Sequence, residues 1–326
     1  MNVTVQQDGV ELSNYSLALA AIPEDYRLMS RRILTWIAIA SRPLTILELA
    51  DACTIDWRMQ PAVDETRSEY AYLTLRLLES SGLVHMGSLP AGHKHKRFHR
   101  DTGCGQLVDD SFRDYLKSED AIPDFRIDIG QAHFEMAQDC IAYLCQFYTA
   151  ERSGRARPDG SSNHFLRYAV QHWDDHQRKA EQALDDRACL GLVEAFLMDD
   201  QMRADWVRPR PSTDDESGIG SALYWSCALG LPATTERLLA RGYHVDEVGG
   251  DDGTAIQVAA GRGRSGIVER LLAVGANISH DQGHGGTALQ AACTRGVVAV
   301  VVMLLNAGAD VNAGSSRARD SPLTIL

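Results

Sequence analysis

The sequence predicts a mainly α-helical protein: a helical module with a small β-hairpin, a helical spacer, and a repeat solenoid at the C-terminal end. Three observations carry this. Gly220-Ser221-Ala222-Leu223, Gly253-Thr254-Ala255-Ile256 and Gly286-Thr287-Ala288-Leu289 recur at a step of 33 residues. The same step separates Leu238-Leu239, Leu271-Leu272 and Leu304-Leu305, and again Gly242, Gly275 and Gly308. A fixed period of this length marks stacked supersecondary units. Upstream, Tyr26, Met29, Ile33, Trp36, Ile37 and Ala40 fall at the spacing of one helix face.

A chain of 326 residues has room for two or three domains. Its net charge of −12 opposes general affinity for nucleic acid or anionic membranes. The longest apolar run, Val297 to Leu305, is far short of the roughly 20 residues a membrane-spanning helix needs. There is no lysine or arginine before Arg27 and no long apolar stretch near the start, so no signal peptide is expected. The 7 cysteines, at 53, 104, 140, 145, 189, 227 and 293, show no metal-type pairing. They read as reduced thiols, and the expected location is the cytoplasm, with the nucleus as the alternative.

Residues 1–21 show no period and are expected to be a poorly ordered lead-in. A module over 22–118 follows. Pro23, Glu24 and Asp25 suit the start of a helix that runs to Ser41, where Arg42-Pro43 breaks it. Thr45 introduces a second helix, Ile46–Cys53, and a third runs from about Val63 to Ser80, closed by Gly82. Leu83–Met86 reads as a strand, Gly87–Gly105 as a loop, Leu107-Val108 as a returning strand, and Ser111–Lys117 as a further helical piece. Three helices and a hairpin make a winged-helix-like arrangement. A helical spacer over 119–207 contains a loop at Glu151–Ser162 and an amphipathic helix at Cys189–Met198. The linker 208–219 opens with Arg208-Pro209-Arg210-Pro211 and turns acidic, the best domain boundary in the chain.

The repeats divide as 220–252, 253–285, 286–319 and a partial unit over 320–326. In each, Ser221, Thr254 or Thr287 can cap a first short helix. Small residues such as Ala259, Ala260, Ala291 and Ala292 let neighbouring units approach. Gly230, Gly263 and Gly296 turn the chain into a second helix that ends at the Leu-Leu pair. The glycine that follows supplies the left-handed backbone of a helix end. These units resemble the ankyrin repeat, whose signature is Thr-Pro-Leu-His-x-Ala. Here Ala255 and Ala288 replace the proline, and Gln257 and Gln290 replace the histidine. The unit at 220 departs furthest, with Ser-Ala-Leu-Tyr-Trp-Ser.

A second resemblance covers most of 22–180. Ile22-Pro23-Glu24-Asp25-Tyr26, Arg32–Ile37 and Arg42–Leu49 resemble the helical segment behind the nucleotide-binding module of fungal NACHT-type (NOD-like, STAND) proteins. Asp110–Leu116 is similar to the segment that closes their winged helix, although Asp109 stands where the family usually has histidine. Ala132-His133 with Ala137, Cys140, Tyr143 and Leu144, and Phe165–Ala169 with His172, Trp173 and His176, resemble the next two family helices. The resemblance implies the C-terminal part of such a receptor. Its P-loop needs Gly-x-x-x-x-Gly-Lys, and no glycine in this chain is followed by lysine, so no nucleotide hydrolysis and no enzyme activity is expected.

Other constellations have dull readings. His172 and His176 stand four apart, but Trp173 occupies the place of a metalloprotease glutamate, and packing of a family helix accounts for the pair. His93, His95, His99 and Cys104 lack the patterned spacing of a zinc site. The basic run His93–Arg100 lies on the wing loop, where nucleic-acid binders carry such residues, but Asp64, Glu65 and Glu69 oppose it at the helix that would enter a groove. No metal or cofactor is expected, and Ser111 has no glycine elbow around it.

The expected function is therefore a non-catalytic protein–protein interaction or adaptor role through the concave face of the ankyrin repeats. The candidate contacts are the tips Asp246, Glu247, Asp251 and Asp252, then His280, Asp281 and His284, with Tyr224, Trp225 and Gln257 near the first helices. Trp225 fits the core as well as it fits a contact. The C-terminal end, with Val311, Leu323, Ile325 and Leu326, lacks a polar cap, so self-association through that end or fraying of the last repeat is expected. Two alternatives stand beside this reading. One is an auxiliary or catalytic protein of a metabolic pathway, secondary metabolism included, with a pocket in the 120–200 region. The other is a truncated product with no independent role.

Overall fold

Local sequence decides most of the first helices. The computed structural model describes residues 5–7, 10–12, 14–64, 66–87, 103–154, 163–184, 191–207 and 219–313. It divides into two compact units, residues 1–184 and 185–326.

In the first unit, β1 (Val5–Gln7) and β2 (Val10–Leu12) pair antiparallel with Val5 opposite Leu12. Helix α1 (Asn14–Ala20) follows, so that part of the stretch expected to be a poorly ordered lead-in is helical. Leu19 is fully buried, the Tyr15 hydroxyl donates to the Asp109 carboxylate at 3.0 Å, and Ser16 bonds Tyr115 at 2.8 Å. Contacts from about a hundred residues downstream hold a helix too short to show a period.

Helix α2 (Glu24–Ile39) begins after Pro23, whose fixed φ suits the entry to a helix, and its face Met29, Ile33, Leu34 and Trp36 is buried. It stops at Ile39, ahead of Arg42-Pro43. Helix α3 (Ile46–Thr54) opens with a capping box: Thr45 Oγ1 accepts from the Glu48 amide at 3.1 Å, and Glu48 accepts from the Thr45 amide at 2.9 Å. Arg42 adds a salt bridge to Glu48 at 2.6 Å. Helix α4 (Arg67–Ser80) starts later than the sequence suggests, because Val63 is extended against Ile55 and the Asp64 amide bonds the Thr54 carbonyl. Strands β3 (Val84–Gly87) and β4 (Cys104–Leu107) form an antiparallel hairpin with Val84 opposite Leu107. Helix α5 (Asp110–Lys117) is capped by Asp109, which accepts from the Phe112 amide at 2.7 Å. Asp109 is thus the N-cap of this helix. Helices α6 (Ile129–Arg152) and α7 (Leu166–Ala183) pack along each other, with Gly130 at the start of one against Leu184 at the end of the other. The basic run His93–Arg100 lies outside the described residues, as do Glu65 and Cys189.

The second unit starts before the repeats. Helices α8 (Leu192–Met198) and α9 (Asp200–Val207), which the sequence places in the spacer, belong to it. They precede α10 (Ala222–Leu229), α11 (Pro232–Ala240), α12 (Ala255–Gly261), α13 (Ser265–Ala273), α14 (Ala288–Thr294) and α15 (Val298–Asn306). First helices α10, α12 and α14 pack in one row and second helices α11, α13 and α15 in another. Leu238, Leu271 and Leu304 are fully buried, each contributing about 2 kcal/mol. Helix α8 packs on α10 and α11, where Glu194 accepts from Arg237 at 3.2 Å and forms an ion pair with Arg241. The Trp206 ring meets Trp225 edge-on at 5.1 Å, and Arg203 donates to the Gly220 carbonyl at 2.7 Å. Together α8 and α9 cover the first repeat. Most of the expected linker 208–219 lies outside the described residues, as do Leu323, Ile325 and Leu326.

Candidate functional site

The connections between successive repeats are built by one local device used three times. His244 Nδ1 accepts from the Asp246 amide at 3.3 Å, Asn277 Oδ1 from Ser279 at 3.0 Å, and Asp310 Oδ1 from Asn312 at 2.8 Å. Each side chain turns its own backbone two residues on, the usual work of a short polar residue in a turn. The turns are then tied to one another. Asp246 Oδ1 accepts from the Asn277 amide at 2.7 Å. The Asp251 carbonyl accepts from the His284 amide and from His284 Nδ1, both at 2.9 Å. Because a carbonyl only accepts, the His284 ring carries its proton on Nδ1 in this contact.

Among the predicted contacts, Glu247, Asp281 and His284 are exposed, while Asp246, Asp251, Asp252 and His280 are half-buried. Three others are corrected by burial. Gln257 is 1% exposed, and its amide donates to the Gly286 carbonyl at 2.6 Å while its Oε1 accepts from the Thr254 amide at 2.7 Å and hydroxyl at 2.9 Å. Tyr224 is buried against Gly249 and Gly250, its hydroxyl accepts from the Asp252 amide at 3.4 Å, and burial pushes that hydroxyl up to about 12. Trp225 donates Nε1–H to the Ile219 carbonyl at 2.5 Å and meets the Trp206 and Tyr224 rings edge to face. These three side chains build the stack.

Sequence reasoning missed Val248, an exposed apolar side chain in the first tip. It lines a hollow of about 400 Å³ with Tyr243, Glu247, Ile219, Asp200 and Arg203. No motif announces this hollow, because its walls join only once α9 packs beside the first repeat. No lysine or arginine occurs over 243–261 or 271–294. Arg262, Arg264 and Arg295 instead sit at the turns between first and second helices.

The histidine pair in the first unit is internal. His176 is fully buried, its Nε2 bonds the Tyr168 hydroxyl at 2.7 Å, and its Nδ1 bonds His133 Nδ1 at 2.7 Å. The Ser41 amide donates to the same hydroxyl at 3.0 Å. Burial holds His133 down to about 4, and burial with the His133 neighbour holds His176 well below the usual imidazole range. His172 stacks on Tyr168 at 4.7 Å. Both ring nitrogens of His176 are thus used in a core network that ties α6 to α7. Among the described residues, no helix is long and apolar enough to cross a membrane.

Residues 223–315 match the family described as Ankyrin repeats, in three copies. The chain is also similar to the Azaphilone pigments biosynthesis cluster protein L of Monascus ruber, at 28% identity over 281 residues, which cover 76% of this chain and 56% of that protein. It therefore spans about half the length of this curated relative. The period, the turn chemistry and the family match agree: the chain is mainly helical, and its C-terminal region consists of ankyrin repeats.

Proposed function

We propose that this is a non-catalytic, cytoplasmic interaction protein that binds a protein partner along the tips and concave face of its ankyrin repeats. The observation that carries this reading is the preset geometry of the tips. The bonds from Asp246 to Asn277 and from His284 to Asp251 fix adjacent tips to each other before a partner arrives, which lowers the ordering cost of binding. The partner presents basic side chains, since the tips carry Glu247 and Asp281 on their exposed edge with no compensating cation over 243–261 and 271–294. Reversing that edge with Glu247→Lys and Asp281→Lys tests it. Loss of the captured partner with unchanged melting supports the reading, and equal capture by both proteins removes it.

The order of α2, α3, α4 and the β3–β4 hairpin supports reading 22–118 as a winged-helix-like module. That module in front of the repeats supports the likeness to the sensor half of a fungal NOD-like receptor. Exposed apolar residues on the last described helix support self-association. Val302 stands where Glu236 and Glu269 stand in the preceding repeats, and with Val298 it leaves an apolar strip on α15 that is 50–70% exposed.

A second reading is favoured by the relative's name: an auxiliary role in a biosynthetic pathway for a small molecule. Disrupting the gene and profiling metabolites tests it, with a changed profile supporting the role and an unchanged one excluding it.

A further inference from the structure

The first unit contains a cavity of about 490 Å³ between α2, α4, α6 and the segment after α3, within the size range of sites for small organic ligands. Its buried lining is soft and apolar: Met29, Trp36, Cys53, Ala132 and Met136. Thioethers beside an indole make an adaptable, polarisable surface suited to a ring system. One ion pair interrupts that lining, half-buried Arg32 to buried Asp139 at 2.7 Å. Arg32 also donates to the carbonyls of Ala52 and Ile55 through the same nitrogen, while its Nε is buried with no hydrogen-bond partner. A buried donor without an acceptor is costly, and a ligand oxygen can supply one.

Charge decides the ligand class. Four arginines and four acidic residues line the cavity, so it has no net formal charge. Two arginines are already paired with acids of the same lining, Arg32 with Asp139 and Arg58 with Glu135 at 3.0 Å. An anion would enter without a free cluster of cations to compensate its desolvation, and a cation would meet the same obstacle. Burial pushes the Asp139 carboxyl up to about 6 even beside Arg32, so the interior already opposes charge.

We propose that this cavity binds a small, uncharged, predominantly apolar ring compound that presents one hydrogen-bond-accepting oxygen to Arg32. The site is separate from the repeat surface and does not depend on a protein partner.

The test uses the full chain and two probes on one naphthalene skeleton: neutral 6-propionyl-2-dimethylaminonaphthalene, whose ketone supplies the accepting oxygen, and anionic 6-dimethylaminonaphthalene-2-sulfonate. The neutral probe is expected to bind saturably, one per chain, and at least tenfold more tightly than the sulfonate. Thr35→Trp, which fills the cavity from the half-buried side of α2, is expected to weaken it at least tenfold with unchanged circular dichroism and melting. Should that variant misfold, Leu28→Trp serves at the mouth, where Leu28 is 81% exposed. Val302→Glu, in the other unit, is expected to leave binding unchanged. Unsaturable uptake, equal or stronger binding of the sulfonate, indifference to the cavity variants, or loss of binding in Val302→Glu would each overturn the proposal.

Discussion

Gln257 joins two repeats through a single side chain: its amide donates to the Gly286 carbonyl at 2.6 Å while its carbonyl oxygen accepts from the Thr254 amide at 2.7 Å. One residue therefore caps its own helix and closes the interface to the next. Both groups it satisfies lie in the buried part of the stack. Truncating it leaves them without partners.

Gln257→Ala is expected to cost about 2–4 kcal/mol, from a lost cap and a buried carbonyl left unpaired. Gln257→His, which restores the residue usual in ankyrin repeats, is expected to cost less than half as much. Urea unfolding followed by circular dichroism measures both, and equal losses in the two variants would disprove the inter-repeat role.

Gly250 has φ +71°, and a Cβ there would sit 2.6 Å from the Tyr224 ring. Gly250→Ala must therefore strain the backbone and displace the ring, at an expected cost of about 1–3 kcal/mol. Tyr224→Phe, which removes only a long 3.4 Å contact to the Asp252 amide, is expected to cost about 1 kcal/mol or less. Thermal melting of the two variants settles the order, and a neutral Gly250→Ala would contradict the close packing of this tip.

Stability is expected to fall in mild acid. His133 and His176 have folded values below the ordinary 6.5, so the unfolded chain takes up their protons first. Their contribution is complete above pH 6.5 and declines as pH drops towards 4, at no more than about 1.4 kcal/mol per pH unit for each histidine. The charges facing them are Lys117, Asp175 and Lys179, of which the lysines oppose protonation and Asp175 favours it. Asp139 acts in the opposite sense, because its folded value near 6 lies above the ordinary 3.8, so its native form gains from protonation over the same window. Denaturation measured from pH 7.5 to 4.5 is expected to show a shallower decline for His133→Asn and a steeper one for Asp139→Asn. The reverse ordering would overturn these assignments.

Val302→Glu places at the last described repeat the residue found at 236 and 269, where Glu236 pairs with Arg270 on the second helix of the next repeat. Sedimentation velocity at increasing concentration is expected to show self-association of the unmodified chain and its reduction by the variant. A monomer at all concentrations would end the self-association proposal.

The sequence disclosed the repeats because one chemical pattern recurs every 33 residues and each unit solves the same problem of capping and turning. It disclosed α2 and α3 for similar local reasons, through Pro23 and the Thr45–Glu48 box. It failed where long-range contacts decide. Helix α1 is held by Asp109 and Tyr115, and α8 belongs with the repeats because Glu194 receives Arg237 and Arg241. Gln257 reads as a contact from its place near a first helix, yet its second partner lies 29 residues away in sequence. The cavity around Arg32 draws walls from Asp25 to Asp139, and no local spacing could have announced it.

The Glu194 clasp on two arginines has a directional consequence for how the solenoid comes apart. A stack of similar units loses order from whichever terminus holds fewest neighbour contacts. With α8 seated against α10 and α11, the first repeat is clamped on both sides, whereas α15, the last described helix, has exposed apolar residues at Val298 and Val302. Melting should therefore run as a one-way zipper from the third repeat inward, with hydrogen exchange fastest in α15 and slowest in α10. Removing the clasp with Glu194→Gln would let it open from either side.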